Sequence, residues 1–563
     1  MLKHQRYAIF AGVALLALLS LLGALLYSPW LWLAAAVLVA LTALGVHDLA
    51  QNRHAILRNY PVIGHVRFLM ESIRPEIRQY LLESDQDALP FSRQERGLVY
   101  QRAKGVEDKR PFGTIENVYG AGYAWLNHSA TPVAIKDTDF RVRIGGPDCK
   151  QPYDASLYNI SAMSFGSLSA NAILALNRGA KKGGFAHDTG EGSVSRHHRA
   201  GGGDLIYQVA SGYFGARNPD GTFSPERFAE TAADPQIRMI EIKLSQGAKP
   251  GHGGMLPAAK ITPEIAEARG IPMGVDCVSP AGHSAFSTPV ELMEFVGRLR
   301  ELSGGKPVGL KLCIGHRREF MSMIKAMLKT GIYPDFVVVD GAEGGTGAAP
   351  VEFANRVGMP MLDGLTFVHN ALRGAGIRDR IKIGAAGKIV SAFDVARALA
   401  LGADWCNAAR GFMFAVGCIQ AQACHTNKCP TGVATQDPLR QRALDVGDKS
   451  DRVARFHRHT MHALGEIAGA AGLSDPGDFM PYHFMFRRAS GGFLDGNEAY
   501  PWLPDGFLVS GEEIPHLAEW HSRWDRASAE TFAPPEIPFG PFAPRRPAAA
   551  KSTAQPLREL EPV

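Results

Sequence analysis

Hydrophobic positions change their spacing twice along this chain. Residues 8–27, AIFAGVALLALLSLLGALLY, carry no charge, and beyond a Ser-Pro-Trp break neither do residues 31–46, LWLAAAVLVALTALGV. Each run approaches the roughly 20 residues that span a bilayer core. A cleaved leader has an apolar stretch of about 7–15 residues and no second stretch behind it. The pattern therefore predicts a transmembrane hairpin over residues 1–50. Lys3 and Arg6 precede the first run, and Arg53, Arg58, Arg67, Arg74 and Arg78 follow the second. Basic flanks on both sides put both ends in the cytoplasm. The expectation is a multi-pass protein of the cytoplasmic membrane with its body on the inner side.

Farther along, short apolar runs alternate with longer segments of helical period. The candidate strands are YNISAMSF (158–165), GFAHDTGEG (184–192), MIEIKLS (239–245) and GVDCVS (274–279), then VGLKLC (308–313), FVVVDG (336–341), IKIGAAG (381–387) and WCNAARG (405–411). Between two of them, REFMSMIKAMLKTG puts Phe320, Met323, Ile324, Met327 and Leu328 on one helical face. Eight such units in about 250 residues predict an α/β fold, a (β/α)8 TIM barrel over residues 151–445. A doubly wound sheet would carry G-x-G-x-x-G after its first strand, or G-x-x-x-x-G-K-[ST]; neither is found. An N-terminal extension packing on the barrel (51–150), a C-terminal extension (446–535) and a disordered Pro/Ala-rich tail (536–563) complete the expected domains.

In a barrel the chemistry gathers at the C-terminal strand ends. Here those ends read MSFGS, HDTGEGS, KLSQGAKPGHGG, VSPAGHS, KLCIGH, DGAEGGTGAAP, GAAGK and ARG. The loops after strands seven and eight commonly hold a phosphate. GAAGK (384–388) and ARG (409–411) provide backbone N–H groups there, with Lys388 and Arg410 for charge. The next segment, IVSAFDVARALALG, would bring a helix N-terminus to the same place. A phosphate at that point, with Lys311 pointing inward from the fifth strand beside the N1/O2 edge of a ring, predicts FMN.

Composition narrows the classes. A net charge of +5 over 563 residues is too dilute for nucleic acid, and no basic block with interleaved aromatics occurs. Seven cysteines, odd in number and without framework spacing, indicate a reducing compartment. Three of them, Cys418, Cys424 and Cys429, fall in GCIQAQACHTNKCPTGVATQ (417–436). Taken alone, the triplet suits an iron–sulfur cluster, zinc completed by His425, or unrelated buried thiols.

Five blocks then appear in order: SAMSFGSLS (161–169), DTGEG (188–192), IKLSQGAKPGHGGMLP (242–257), VDGAEGGTGAAP (339–350) and CIQAQACHTNKCPTGVATQ (418–436). Together they resemble the synthase domain of glutamate synthases, and most of all the short FMN-binding glutamate-synthase-like proteins. The resemblance implies a (β/α)8 barrel with FMN and a 3Fe-4S cluster on Cys418, Cys424 and Cys429, one thiolate per iron. It also implies addition of ammonia to 2-oxoglutarate and reduction of the imine by FMN. Matched to these motifs, Glu191 sits near the reacting carbon and Lys249 binds substrate, with Ser279 and His283 as further substrate contacts. Ser164 and Gly166 pack by the flavin ring, while Gln246 and Lys311 bond its polar edge. Gly344, Gly345, Gly387, Lys388, Arg410 and Gly411 complete the cofactor site.

Two positions depart from the family. Where it reads K-P-G-E-G-G-Q-L-P, this chain has His252 and Met255 at the varied places. The family's glutamine helps hold 2-oxoglutarate, and a thioether at Met255 offers no comparable hydrogen bond. A related 2-oxo acid stays open as the substrate. Neither a Cys-led glutaminase segment nor a nicotinamide-binding segment is recognisable. Ammonia is expected from solution or a supplying partner, and electrons from ferredoxin or an NAD(P)H-oxidising subunit. The hairpin also admits an anchored electron-transfer flavoprotein, or a dehydrogenase for another substrate. Intact Glu191, Lys249 and the three cysteines oppose a catalytically dead scaffold.

Overall fold

The computed structural model describes residues 6–86 and 89–534; the Pro/Ala-rich tail lies outside them. The chain divides into two compact units, Met1–Arg96 and Gly97–Val563. In the first, helices α1 (Ala8–Leu26) and α2 (Leu31–Ala50) fold back on each other. Gly45 permits the approach, because a Cβ there would lie 2.3 Å from the Phe10 ring. Neither helix hides its apolar surface: 11% of the first and 17% of the second is buried, and both are long and apolar enough to cross a membrane. Near the end of α2 the fully buried Asp48 accepts the Val62 N–H and His65 Nε2–H, each at 2.9 Å.

In the second unit eight parallel strands close into a barrel. They are β1 (Tyr158–Ile160), β2 (His187–Asp188), β3 (Leu205–Val209), β4 (Ile237–Lys243), β5 (Val308–Leu312), β6 (Phe336–Asp340), β7 (Lys382–Ala386) and β8 (Trp405–Ala408). Closure runs from β8 to β1 through Cys406↔Tyr158, Asn407↔Asn159 and Ala408↔Ile160. Apolar runs of this kind suit strands enclosed on both faces.

Seven of the eight expected runs supply barrel strands; GVDCVS does not. Its Cys277–Val278 pairs antiparallel with Met255–Leu256 as a two-stranded ribbon in the connection after β4. Val275 and Val278 are more than half exposed there. Alternating polarity satisfies a surface ribbon as well as a barrel strand. The third barrel strand is LIYQV, Leu205–Val209, buried along its whole length. Gln208 interrupts its apolar run and glycines crowd its start.

A hairpin of Arg141–Ile144 and Tyr153–Ser156 plugs the barrel's N-terminal end. Ile144, Tyr153 and Ala155 share one buried cluster with Ile206, Met239, Phe336 and Trp405. Beyond the barrel, helix Val446–Ala470 packs along Ala170–Gly183, with Gly179 admitting Val453. A three-stranded sheet of Ala124–Leu126, Phe484–Arg487 and Phe493–Asp495 joins chain from before and after the barrel. The loops at the C-terminal strand ends carry the charged groups.

Candidate active site

Two groups of charged side chains meet at those strand ends. The first surrounds Lys311 on β5, which reaches Asp340 Oδ2 at 3.8 Å. Asp188 on β2 and Glu241 on β4 are fully buried beside it. Gln208 Nε2 donates to Glu241 Oε1 at 2.6 Å, and the Gly190 N–H to Asp188 Oδ1 at 2.9 Å. Burial weighs against the Lys311 ammonium, but Asp340, Glu241 and Asp188 together outweigh it and raise its pKa. Burial and then the Glu241 charge push Asp188 well above the usual carboxylate range. Asp188 therefore keeps a proton to share with Glu241, which accounts for two buried oxygens, Asp188 Oδ2 and Glu241 Oε2, that otherwise lack partners.

The second group surrounds Glu191. Lys243, at the end of β4, donates to Glu191 Oε2 at 3.1 Å and to Gln246 Oε1 at 2.7 Å. Arg269 and Lys249 are each 3% exposed. Burial would raise the Glu191 pKa, yet Lys243, Arg269 and Lys249 hold it below the ordinary value. For Lys249 burial pulls the pKa down, with Lys243 aiding and Glu191 opposing. Arg269 Nη2 donates to Ser164 Oγ at 3.2 Å and to Phe165 O at 3.1 Å, while its buried Nε has no partner.

Glycines let the backbone close over this carboxylate. A Cβ at Gly254 would lie 1.7 Å from Glu191 Oε1. Ser279 N–H donates to Gly254 O at 2.8 Å, which hangs the ribbon beside Glu191. His283 Nε2 donates to Lys243 O at 2.9 Å, and its Nδ1 accepts from the Tyr213 hydroxyl at 3.1 Å. Burial drives the His283 pKa to about 4, so the ring is neutral. A cavity of about 430 Å³ opens beside Ser279, walled by Phe214, Arg217, Cys277 and Ser284. Met255 stands 43% exposed on the ribbon.

The loops after β6, β7 and β8 touch one another. Arg410 Nη2 donates to Glu343 O at 2.6 Å, and a Cβ on Gly345 would lie 2.8 Å from the Arg410 side chain. Gly387 packs on Met361, and Lys388 adopts a left-handed φ of 52°. Glu343 turns its carboxylate to the Met361 N–H at 3.0 Å. The expected helix N-terminus is present at Ala392–Ala400, but it is engaged by its own capping box. Asp394 Oδ2 accepts from the Val390 and Ser391 N–H groups at 3.2 and 3.0 Å.

The cysteine segment lies beside β1's loop. Buried Lys260 donates to Ser167 O, Cys424 O and Ala434 O at 2.8, 3.2 and 3.3 Å. Its own pKa falls to about 8 through burial, with Cys424 and Cys429 opposing. Burial works against a thiolate at Cys429, but N–H groups of Ala434, Thr431 and Val433 and the Thr431 hydroxyl lower its pKa. Burial and the Cys429 charge raise that of Cys424, against Lys260. Cys418 Sγ accepts the Gln420 N–H at 3.4 Å. Among the described residues no three His, Cys, Asp or Glu side chains are grouped to hold a single metal ion.

A family profile described as the conserved region in glutamate synthase matches residues 149–474. The glutamate synthase large subunit-like protein YerD of Bacillus subtilis is 39% identical over 491 residues, 80% of this chain and 93% of its own length. The chain belongs to the glutamate synthase family. It is thereby an oxidoreductase of the glutamate synthase type. The archaeal-type NADPH glutamate synthase of Thermotoga neapolitana is 38% identical over 315 residues, 56% of this chain and 59% of its own. The NADPH glutamate synthase large chain of Bacillus subtilis is 32% identical over 388 residues, 68% of this chain and 23% of its own. The chain thus spans less than two thirds of these last two relatives.

N–H donors at Cys418 and Cys429, and the buried Lys260 ammonium near Cys424 and Cys429, suit thiolate ligation, and the three touching Gly-rich loops with Lys388 and Arg410 suit a phosphate. Glu191, Lys249, Ser279 and His283 come together, with Ser164 and Gly166 against the same side. Lys243 and Arg269 escaped the sequence analysis. Lys243 occupies on β4 the place that Lys311 holds on β5, a signal that was available. Arg269 looks like an ordinary basic residue at a helix end before its Gly270 cap, and nothing local marks it.

Proposed function

We propose that this chain is an FMN- and iron–sulfur-dependent oxidoreductase that aminates a 2-oxo dicarboxylate, with 2-oxoglutarate as the leading substrate and glutamate as the product. Charge carries this reading: Lys243, Lys249 and Arg269 surround a single carboxylate, Glu191. Such a site lacks two negative charges, which a dicarboxylate supplies, and the unpartnered Arg269 Nε offers it a hydrogen bond.

The loops at Gly344–Gly345, Gly387–Lys388 and Arg410–Gly411 would hold the FMN phosphate, with Gln246 and Lys311 at the ring's polar edge. Lys311 is already matched by the Asp340 and Glu241 carboxylates, so it acts there as a hydrogen-bond donor more than as a free cation. Cys418, Cys424 and Cys429 would hold the three-iron cluster. When bound, FMN supplies hydride and the cluster delivers electrons singly.

Overall, a 2-oxo acid, ammonia, two electrons and two protons give an amino acid and water. Glu191, ionised at neutral pH, accepts a proton from the nitrogen as ammonia adds to the carbonyl carbon. Lys249, with its pKa pulled down, donates to the departing hydroxyl. Neutral His283 fixes the Lys243 backbone and moves no proton. Ammonia comes from solution or a partner, and electrons from ferredoxin or an NAD(P)H-oxidising subunit. Residues 8–50 anchor the protein as a hairpin with the body in the cytoplasm, supported by the exposed leucines and basic flanks.

The test is ammonia-dependent oxidation of the pre-reduced protein with a panel of 2-oxo acids. Fastest turnover with a dicarboxylate is expected. Preference for monocarboxylic acids overturns the dicarboxylate reading, and no reaction with any acid favours an anchored electron-transfer flavoprotein. Cys424→Ser should remove iron while FMN stays bound; zinc in place of iron would end the cluster assignment.

A further inference from the structure

Just past the hairpin, within the same compact unit, helix Gly64–Ile77 runs on through Arg78–Leu82. Most of its exposed apolar side chains form a stripe at helical spacing that the unit leaves bare; Phe68 and Leu82 lie off it. Val66, Leu69, Met70, Ile73, Tyr80 and Leu81 are between 39% and 76% exposed. At about 100° per residue Val66, Leu69, Met70 and Ile73 occupy less than about one third of the circumference, and Tyr80 and Leu81 follow in the π-helical turn Arg78–Leu82. Arg67, Arg74 and Arg78 all fall along one shoulder of the stripe, with their side chains 61%, 75% and 62% exposed; Arg67 and Arg74 each lie 4.0 Å from Glu71, and Arg78 lies 3.1 Å from Glu83, pairs of small worth at such exposure. From residue 51 to 83 five arginines stand against three glutamates. Asp48 ties the start of this helix to the end of α2 by holding Val62 and His65.

We propose that residues 64–82 lie flat on the cytoplasmic face of the bilayer, with the apolar stripe among the acyl chains and the three arginines on anionic headgroups. The inference rests on the hairpin reading, because the Asp48 tie fixes the helix where α2 leaves the membrane. Charge excludes a third span, since three arginines and two glutamates within 19 residues exceed what a bilayer core accepts. An amphipathic helix with basic side chains bordering its apolar face suits the interface instead, where long arginine stems extend toward phosphate. Each arginine near an anionic leaflet adds attraction. A second copy of the chain would cover the stripe equally well but gives no reason for three arginines on one shoulder. Anionic lipid does.

Hydrogen exchange on the full chain in nanodiscs tests this, comparing pure phosphatidylcholine with discs in which about one third of the lipid is phosphatidylglycerol. Amides of residues 64–82 should exchange at least about tenfold more slowly on the anionic discs. The triple variant Arg67→Gln, Arg74→Gln, Arg78→Gln should lose that difference while residues 8–50 stay protected. Protected residues 8–50 with residues 64–82 equally fast on both discs would overturn the proposal and leave the hairpin standing. Protection that rises with protein concentration, or that is equal in lipid-free detergent, assigns the stripe to a protein surface and also overturns it. Free exchange of residues 8–50, with residues 64–82 still slowed by anionic lipid, would sink the hairpin and keep the surface helix.

Discussion

Lys243 and Lys311 occupy neighbouring positions in the barrel register, one strand apart, yet their surroundings carry opposite excess charge. Around Lys311 stand Asp188, Glu241 and Asp340, three acids for one ammonium. Around Glu191 stand Lys243, Lys249 and Arg269, three cations for one carboxylate. With a proton kept on Asp188, the acid-rich group still holds two carboxylates, Glu241 and Asp340, for one ammonium, so it has no call for an anionic visitor. No such remedy exists for an arginine, which keeps its charge at any accessible pH. The cation-rich group is therefore the half of the mouth to which we assign the anionic substrate. One polar layer thus separates a self-contained part from a receptive one.

The sharpest way to break this contrast is to remove each lysine in turn. Lys311→Met strands buried acids without their cation, and removing one partner of a buried pair costs about 3–5 kcal/mol. Lys243→Met leaves Glu191 with two other cations and should cost clearly less. Denaturant titration of both variants measures this; equal losses would mean that the two groups do not differ as argued. The largest effect on activity is expected at Lys249. Lys249→Ala should lower kcat/KM for the dicarboxylate by about 2–5 kcal/mol, the effect of truncating one side of a buried charge pair, while FMN content stays unchanged because the phosphate loops lie elsewhere.

The two groups were unequally visible in the amino-acid order. Strand-end glycines marked the barrel mouth, and Lys311 followed from its place in VGLKLC. Lys243 in MIEIKLS has the same pattern and passed unnoticed, because a lysine ending a strand is also what solvent exposure produces. Arg269 joins the site through the long connection after β4, which folds back and sets Gly254 on the Glu191 carboxylate. Such a contact depends on chain path and leaves no local spacing. The strand Leu205–Val209 was missed for a related reason. Gln208 reads as a surface residue until Glu241, on the next strand, accepts its amide hydrogen.

Titration should separate the groups by sign. His283, beside the cation-rich group, falls from an ordinary 6.5 to about 4 through burial. Between those values the unfolded chain binds a proton that the folded chain refuses, so stability is lost as pH drops through that window. Asp188 behaves oppositely. Its raised pKa means that the folded chain keeps a proton which the unfolded chain releases above an ordinary 3.8, so stability is lost as pH rises. Thermal melts at pH 5 and pH 8 should show His283→Gln improving relative stability at pH 5, and Asp188→Asn improving it at pH 8. A His283→Gln profile parallel to the parent would show that the folded ring takes up its proton as readily as the unfolded one.

The smallest effect is expected at Met255. Alternation along the ribbon puts its side chain opposite to those of its neighbours, Leu256 being 4% exposed and packed near Gly166 while Met255 is 43% exposed. An amide introduced there has no direct line to Glu191 as the ribbon lies. Met255→Gln should therefore improve kcat/KM for 2-oxoglutarate by at most about 1 kcal/mol, the worth of one net hydrogen bond, and through KM alone. A larger gain, or one that appears in kcat, would mean that the ribbon rolls when substrate binds and presents position 255 to it. Selectivity would then depend on the ribbon as much as on Lys249 and Arg269. Repeating the comparison in Lys249→Ala decides between these: an additive gain leaves Met255 outside the charged group, and a gain abolished by the lysine's loss places both on one substrate.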